Sequence, residues 1–169
     1  TRSTHEVMEF LKKYKQAVIK PIYGNGGDGV FLLSKKDLNL NQILESFLSI
    51  SKEPFMVQKY LPEIIRGDKR IILINGKPVG AIARVPKQNE IRSNIHVGGS
   101  AKKVSISKSD HAICDVIGPE LKKRKLFFVG IDIIGKYLTE INVTSPTCLI
   151  EIKKLSKVDI AKIIWNQLG

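Results

Sequence analysis

The sequence predicts an α+β fold, and three observations carry that prediction. Apolar runs of strand length, at 17–22, 30–33, 55–60, 70–74, 79–85, 127–133 and 138–143, are interspersed with segments of helical apolar period at 4–16, about 37–51, 109–125 and 158–168. Asn75-Gly76 stands between two of those runs, and this pair accepts the positive φ angles that a two-residue hairpin turn requires. Hydrophobic residues make up 43% and charged residues 26% of 169 residues, an ordinary globular balance with enough chain for one domain or two small lobes.

In chain order, residues 4–16 (THEVMEFLKKYKQ) read as a helix capped by Ser3 or Thr4, with Val7, Phe10, Leu11 and Tyr14 on one face. The strand at 17–22 carries Lys20, the glycine cluster GNGGDG occupies 24–29, and a second strand follows at 30–33. Asp37 or Asn39 opens a helix to about Ser51, with Ile43, Leu44, Phe47 and Leu48 apolar; the strand at 55–60 completes a small α+β unit. Past a loop with Gly67, the strands at 70–74 and 79–85 pair through the Asn75-Gly76-Lys77-Pro78 turn. Residues 86–103 are polar, with Gly98-Gly99 at the tip, and read as a long functional loop. A helix at 109–125, paired strands at 127–133 and 138–143, and a helix at 158–168 close the chain.

Composition excludes several function classes. The net charge of +12 and pI near 9.7 invite a nucleic-acid reading, but basic residues are spread along the chain and only Lys122–Lys125 (KKRK) is a tight run, suited to a solvated helix end. Lysine greatly outnumbers arginine, which blunts the case for bidentate readout, and small polyanions such as nucleotides need positive charge too, so net charge alone does not decide. No apolar run reaches the ~18 residues of a membrane span, and the N-terminus lacks a secretory stretch, so no membrane partner is expected. Cys114 and Cys148 lie far apart and read as small buried hydrophobes of a reducing, cytoplasmic compartment. His5, His96 and His111 have no metal-ligand spacing. With no initiator Met, the chain is expected to begin inside a longer protein.

Three constellations could carry chemistry. Gly24, Gly26 and Gly29 match G-x-G-x-x-G, but strand follows the glycines where a dinucleotide-binding turn enters a helix. What remains is either an ordinary turn or a glycine-rich hairpin (with Gly27) able to fold backbone N–H groups over phosphates, with Lys20 supplying a cation. Asp132, Glu140 and Asn142 form the second set. Glu140 and Asn142 share a sheet face, and a three-residue loop (135–137) sets Asp132 opposite Glu140, whereas a strict two-residue turn sends Asp132 to the other face. Opposed carboxylates repel unless a divalent cation sits between them, and oxygen donors suit Mg²⁺; the alternative is a solvent-facing pair with lysine neighbours. Third, Arg70, Arg84, Arg92 and Asn94 cluster in the middle segment, either as surface residues or aimed at one cleft to hold a carboxylate and a transferred phosphoryl group. Thr144, Ser145 and Thr147 add hydroxyls beside the second set.

The ordered segments KPIYGNGGDGVF, MVQKYLPEIIRGDKRIILINGKPV, ARVP, IRSN, GPELKKRKLFFVGIDIIG and LTEINVTSPT together resemble the ATP-grasp part of the bacterial glutathione synthetase family. The resemblance implies an ATP-grasp fold: a small lobe over 1–60 with the glycine-rich loop and a large lobe over 61–169 with the metal and substrate residues, nucleotide held between the two. It implies that Lys20 and the 24–29 loop bind ATP phosphates, that Gln58, Lys59, Tyr60 and Leu61 meet adenine, and that Asp68 sits near the ribose. Asp132, Glu140 and Asn142 match the family's Mg²⁺ ligands (Mn²⁺ being an alternative ion), Arg70 and Arg84 its phosphate and acyl-phosphate contacts, and Arg92, Asn94 and Ser145 its peptide-substrate contacts. Family members are about twice this length and begin with a separate domain, so this chain is expected to lack that domain and to belong to a homo-oligomeric enzyme.

The implied activity is ligation of γ-glutamylcysteine and glycine into glutathione through an acyl phosphate. Two alternatives remain at this level: another ATP-grasp carboxylate–amine ligase, and a non-enzymatic basic module that binds nucleic acid. Asp132→Asn is expected to abolish magnesium-dependent turnover and to spare folding.

Overall fold

The computed structural model describes residues 1–169 except Gly24, Asn25, Ser51, Asn89, His96, Val97 and Gly169. The expected phosphate contact at Gly24, the helix end at Ser51 and the excluded ligand His96 therefore lie outside the described residues. The chain divides into two compact units, Thr1–Pro62 and Glu63–Gly169. Each is helix plus antiparallel sheet, the α+β class that the apolar patterns predict.

In the first unit, α1 (Thr4–Tyr14) and α2 (Leu40–Ile50) accompany a sheet of β1 (Gln16–Pro21), β2 (Phe31–Ser34) and β3 (Phe55–Lys59), in the order β2-β1-β3. Ser3 is the N-cap of α1: its hydroxyl accepts the Glu6 N–H at 3.3 Å and satisfies one of the donors that a helix start leaves open. Val7 and Leu11 of α1, Leu40 and Leu44 of α2, and Ala17, Ile19, Leu33 and Phe55 of the sheet form one buried cluster. Because strand side chains alternate, Ala17 and Ile19 on the core face put Val18 and Lys20 on the other.

The second unit is a five-stranded antiparallel sheet, ordered β6-β5-β4-β7-β8, of β4 (Asp68–Ile74), β5 (Lys77–Val85), β6 (Ser100–Lys103), β7 (Phe128–Ile134) and β8 (Tyr137–Asn142). Three helices accompany it: α3 (Lys108–Lys123), α4 (Leu149–Ser156) and α5 (Ile160–Leu168). The β4–β5 turn is the two-residue Asn75-Gly76 turn, with φ of 50° and 74°. One sheet face packs Ile71, Leu73, Ala81, Val129, Ile131 and Ile133 against Cys114 and Leu121 of α3. On the other, Ile72, Ile74 and Ile82 meet Ile152 of α4 and Ile160 of α5. Burying one such isoleucine contributes roughly 1.5–3 kcal/mol, so the central strands β4 and β7, covered on both faces, are the most firmly held part of the unit. Both cysteines are buried free thiols, and burial pushes the Cys114 thiol up to about 11.

Two elements differ from the sequence expectation. The segment 86–103 is not loop throughout: β6 pairs with β5 from Ile82↔Lys103 to Val85↔Ser100. The helix α4 has no counterpart among the predicted elements; its N-cap, Cys148, sits at φ 83° with no side-chain cap bond.

Candidate functional site

The β7–β8 hairpin decides where the candidate metal residues point. Its turn is the two-residue Gly135-Lys136, with Ile134 opposite Tyr137 and Ile133 opposite Leu138. The expectation that such a turn removes Asp132 from Glu140's face is nevertheless overturned. The register shifts by one residue between Asp132 and Ile133, so Asp132 stands opposite Glu140 and Gly130 opposite Asn142. A β-bulge at Thr139 thus does what the alternative of a three-residue loop would have done. Its sequence signal is the spacing of Leu138 and Ile141: three apart, they reach one sheet face only if a residue is interposed.

Around Asp132 the ladder builds an ionic network across neighbouring strands. Arg70 of β4 is Asp132's ladder partner and grips it bidentately, Nε to Oδ1 and Nη2 to Oδ2, the latter at 2.8 Å. Arg84 of β5 is the ladder partner of Asp68 and grips that carboxylate in the same way, Nε to Oδ1 at 2.9 Å and Nη2 to Oδ2. The Arg84 Nη2 also lies 2.9 Å from Asp132 Oδ2, joining the two pairs. Asn142 Nδ2 donates to Asp132 Oδ2 at 3.4 Å, and Arg70 Nη1 to Thr147 Oγ1 at 3.4 Å. Asp68, Arg70, Arg84 and Asp132 are each no more than 6% exposed. Gly130 makes room for this: a Cβ there would lie 2.7 Å from Pro146 Cβ and 3.3 Å from Arg70 Cδ.

The two aspartates differ in electrostatic state. Burial opposes ionisation of Asp132, but Arg70 and Arg84 outweigh it and hold the carboxyl below its ordinary value. Burial pushes the Asp68 carboxyl up, and the bonds from Arg84 and Ser93 do not cancel that effect. The Arg84 guanidinium is held charged against its own burial by both carboxylates.

The donor set fits a hard divalent cation. Asp132 Oδ2 accepts from Arg70, Arg84 and Asn142, while Oδ1 accepts from Arg70 Nε, which leaves Oδ1 able to share a lone pair with a metal. Glu140 is exposed, directly across the ladder from Asp132, and Asn142 lies two residues along the same strand. Among the described residues no three His, Cys, Asp or Glu side chains cluster, so the third protein oxygen would come from the Asn142 amide.

The remaining candidates occupy distinct settings. In the first unit Lys20 stands opposite Met56, and Gln58 opposite Val18, so Lys20 and Gln58 share the face away from the core. Lys59 points the other way, its Nζ 5.8 Å from the Tyr14 ring centroid. Tyr60 and Leu61 are half-buried just past β3. Gly26, Gly27 and Gly29 adopt φ of 68°, 85° and 71°, the left-handed backbone that glycine tolerates best. In the second unit, Asp68 turns its carboxylate into the ionic network, toward Arg84. Arg92 pairs with Glu90 at 2.6 Å, and Glu90 also accepts the Ile91 and Arg92 N–H groups at 2.9 and 3.1 Å. Chiefly through Arg92, these bonds hold the Glu90 carboxyl down at about 2. The Asn94 carbonyl accepts the Gly99 N–H at 3.1 Å, and Ser145 is exposed. Sequence reasoning missed Ser93, which is buried between Arg92 and Asn94 and bonded to Asp68, because a lone serine in a polar loop carries no signal. It likewise missed Thr139; Thr147, named for its hydroxyl, meets the network by accepting from Arg70.

Comparison with known proteins gives the family and the fold. Residues 1–157 match the family model described as the prokaryotic glutathione synthetase ATP-grasp domain. Glutathione synthetase of Mesorhizobium japonicum is 49% identical over 166 residues, covering 98% of this chain and 53% of that protein. The enzyme of Gloeobacter violaceus is 47% identical over 153 residues, covering 90% and 47%. The chain therefore spans about half the length of the curated relatives it matches. Among solved structures, the ATP-grasp ligase PsnB complexed with a minimal precursor superposes with a TM-score of 0.69 at 21% identity, covering 99% of this chain and 52% of that one. D-alanine–D-alanine ligase from Bacillus anthracis, complexed with ATP, superposes with a TM-score of 0.60 at 18% identity, covering 85% and 48%. Those likenesses show the ATP-grasp fold, and with the match over 1–157 the chain belongs to the prokaryotic glutathione synthetase ATP-grasp domain family.

Proposed function

We propose that the chain is the ATP-grasp portion of an ATP- and Mg²⁺-dependent ligase that makes glutathione from γ-glutamylcysteine and glycine. The observation that carries this reading is the Asp68–Arg84–Asp132–Arg70 network, flanked on the same sheet face by Glu140 and Asn142. In the reaction, a carboxylate oxygen of the dipeptide attacks the γ-phosphorus of ATP and ADP departs. The glycine amine then attacks the acyl carbon, phosphate leaves with the C–O electron pair, and the amine proton passes to solvent. Neither step uses a side-chain nucleophile.

Asp132, Glu140 and Asn142 would hold Mg²⁺, or Mn²⁺ in its place; the ion supplies charge neutralisation for the transferring phosphoryl group. Arg70 and Arg84, charged and locked by bidentate partners, present fixed positive charge to the phosphoryl and acyl-phosphate oxygens; Asp68 orients Arg84. Lys20 and Gly24, Gly26, Gly27 and Gly29 hold the nucleotide phosphates, and the segment Gln58–Leu61 holds the adenine. Arg92, Asn94 and Ser145 bind the dipeptide. By the family resemblance the working enzyme is a cytoplasmic homo-oligomer with neither membrane nor nucleic acid as partner.

Isothermal titration of the chain with ATP, in Mg²⁺ and again in EDTA, tests the site. Binding that strengthens at least tenfold with Mg²⁺ is expected. Metal-independent binding, or none, would sink the reading. Phosphate release by the full-length enzyme with a panel of carboxylates and amines tests the substrates, and γ-glutamylcysteine with glycine should give the highest kcat/KM.

A further inference from the structure

We infer that Thr139 is a positioning residue for this site: it closes the β-bulge that turns Glu140 and Asn142 onto the face of Asp132. The alternative register is explicit in the ladder. If the pairing set by Ile134↔Tyr137 and Ile133↔Leu138 continued without a shift, Asp132 would oppose Thr139, and Glu140 would oppose Ile131. Glu140 would then share a sheet face with Ile131 and Ile133, the face packed against α3 and opposite to that of Asp132. One extra residue on β8 avoids this. It pairs Ile131 with Ile141 and delivers Glu140 and Asn142 to the face that carries Asp132 and Arg70.

A bulge leaves backbone groups of the ladder without their regular partners. Here the Thr139 hydroxyl donates to the Asp132 carbonyl at 3.1 Å, tying the extra residue to the backbone of the residue at the centre of the network. Asp132 is thus held from two sides, its carboxylate by Arg70 and Arg84 and its carbonyl by Thr139. The side chains that must converge on one cation, Asp132 from β7 and Glu140 and Asn142 from β8, are set relative to one another at Thr139. The inference concerns register and rests on the proposed metal-nucleotide reading only for its consequence in binding.

The test compares Thr139→Val, which keeps the branched shape and loses the hydroxyl, with Thr139→Ser, which keeps the hydroxyl. Amide hydrogen exchange at Glu140–Asn142 reads the bulge with no ligand present; titration with Mg-ATP, and with ATP in EDTA, reads the site. In the valine variant, exchange is expected to quicken at least tenfold. Mg-ATP affinity should fall three- to tenfold with metal-free ATP binding unchanged, and serine should restore both quantities to within twofold of the parent. Parental exchange and Mg-ATP affinity in the valine variant would overturn the inference, as would a serine variant that behaves like valine. Equal losses of metal-free and metal-dependent binding would reduce Thr139 to a general structural role, and so overturn it too. If the valine variant does not fold, Thr139→Ala is read by the same measurements. A parent chain that binds no Mg-ATP removes the proposed function, and exchange in the variants then decides the register claim alone.

Discussion

Lys69 and Arg70 are neighbours on β4 and face opposite sides of one sheet, and the two sides treat charge differently. Lys69 faces the α3 side, where its side chain, 20% exposed, reaches Asp110 at the start of α3. That aspartate also accepts the Ser107 N–H at 2.8 Å, completing a capping box, and the cluster between this sheet face and α3 includes Ile71, Leu73, Ile131, Ile133, Cys114 and Leu121. Arg70, on the other face, is buried and belongs to a four-member set of two arginines and two aspartates. The apolar face gains stability from nearly every residue it buries. The ionic cluster does not, because taking charges out of water costs about as much as their pairing returns. A fold that needed only stability would have no use for it. A site that must offer rigid, dry, pre-oriented charge to phosphate and metal does.

The largest expected effect comes from breaking the cluster by halves. Asp132→Ala strands the buried Arg70 guanidinium and takes from Arg84 one of its two carboxylate partners, and should cost about 3–5 kcal/mol in denaturant unfolding. By the same physics Asp132→Asn removes the charge between Arg70 and Arg84, so the expectation that it spares folding gives way to a measurable loss of stability. The sharper experiment is the double replacement Arg70→Met with Asp132→Leu. It should recover most of the lost stability while Mg-ATP binding stays absent. A double variant as unstable as the single one would mean that the cluster holds the fold after all.

On the opposite face, Ile131→Ala should cost about 2–5 kcal/mol, by lost burial and a residual cavity, and leave Mg-ATP affinity close to the parent's. A proportionate loss of binding would show that the two faces are not separable. The smallest effect is at the rim. Burial works against ionisation of Asp110, yet Lys69 and Ser107 hold its carboxyl below the ordinary value of about 3.9. A carboxylate whose folded pKa is depressed contributes stability that is full above its unfolded pKa and disappears as pH falls through the folded one. The stability gap between the parent and Asp110→Asn should therefore be widest near neutrality and close below about pH 4. A gap that does not change with pH would assign the effect to capping geometry alone.

How much of this was legible beforehand depends on what each feature's signal is made of. Val7 with Leu11, and Ile71 with Leu73, announce helix and strand through their period, since burial on one face leaves that period in the chain. The strand β6 carries no such mark: in Ser-Ala-Lys-Lys only Ala101 packs against the core, and the strand exists because the edge of β5 offers backbone partners. The helix α4 begins at a cysteine in left-handed conformation with no capping bond, so the usual start signal is missing. Asp132, Arg70 and Arg84 could be nominated from residue type. That Arg70 meets Asp132 and Arg84 meets Asp68 is a fact of ladder register, and register is not local.

The sequence by itself determined the alternation of helix and strand, the Asn75-Gly76 turn, the family, and the set of oxygen- and guanidinium-bearing side chains at hand, because period, turn chemistry and residue type are local properties. Only the tertiary structure decided that one inserted residue, Thr139, shifts β8 against β7, and that Arg70 and Arg84 bind Asp132 and Asp68 on the sheet face that carries Glu140 and Asn142. Both outcomes arise from competition among long-range pairings, which is settled by which side chains a sheet face will accept in its interior.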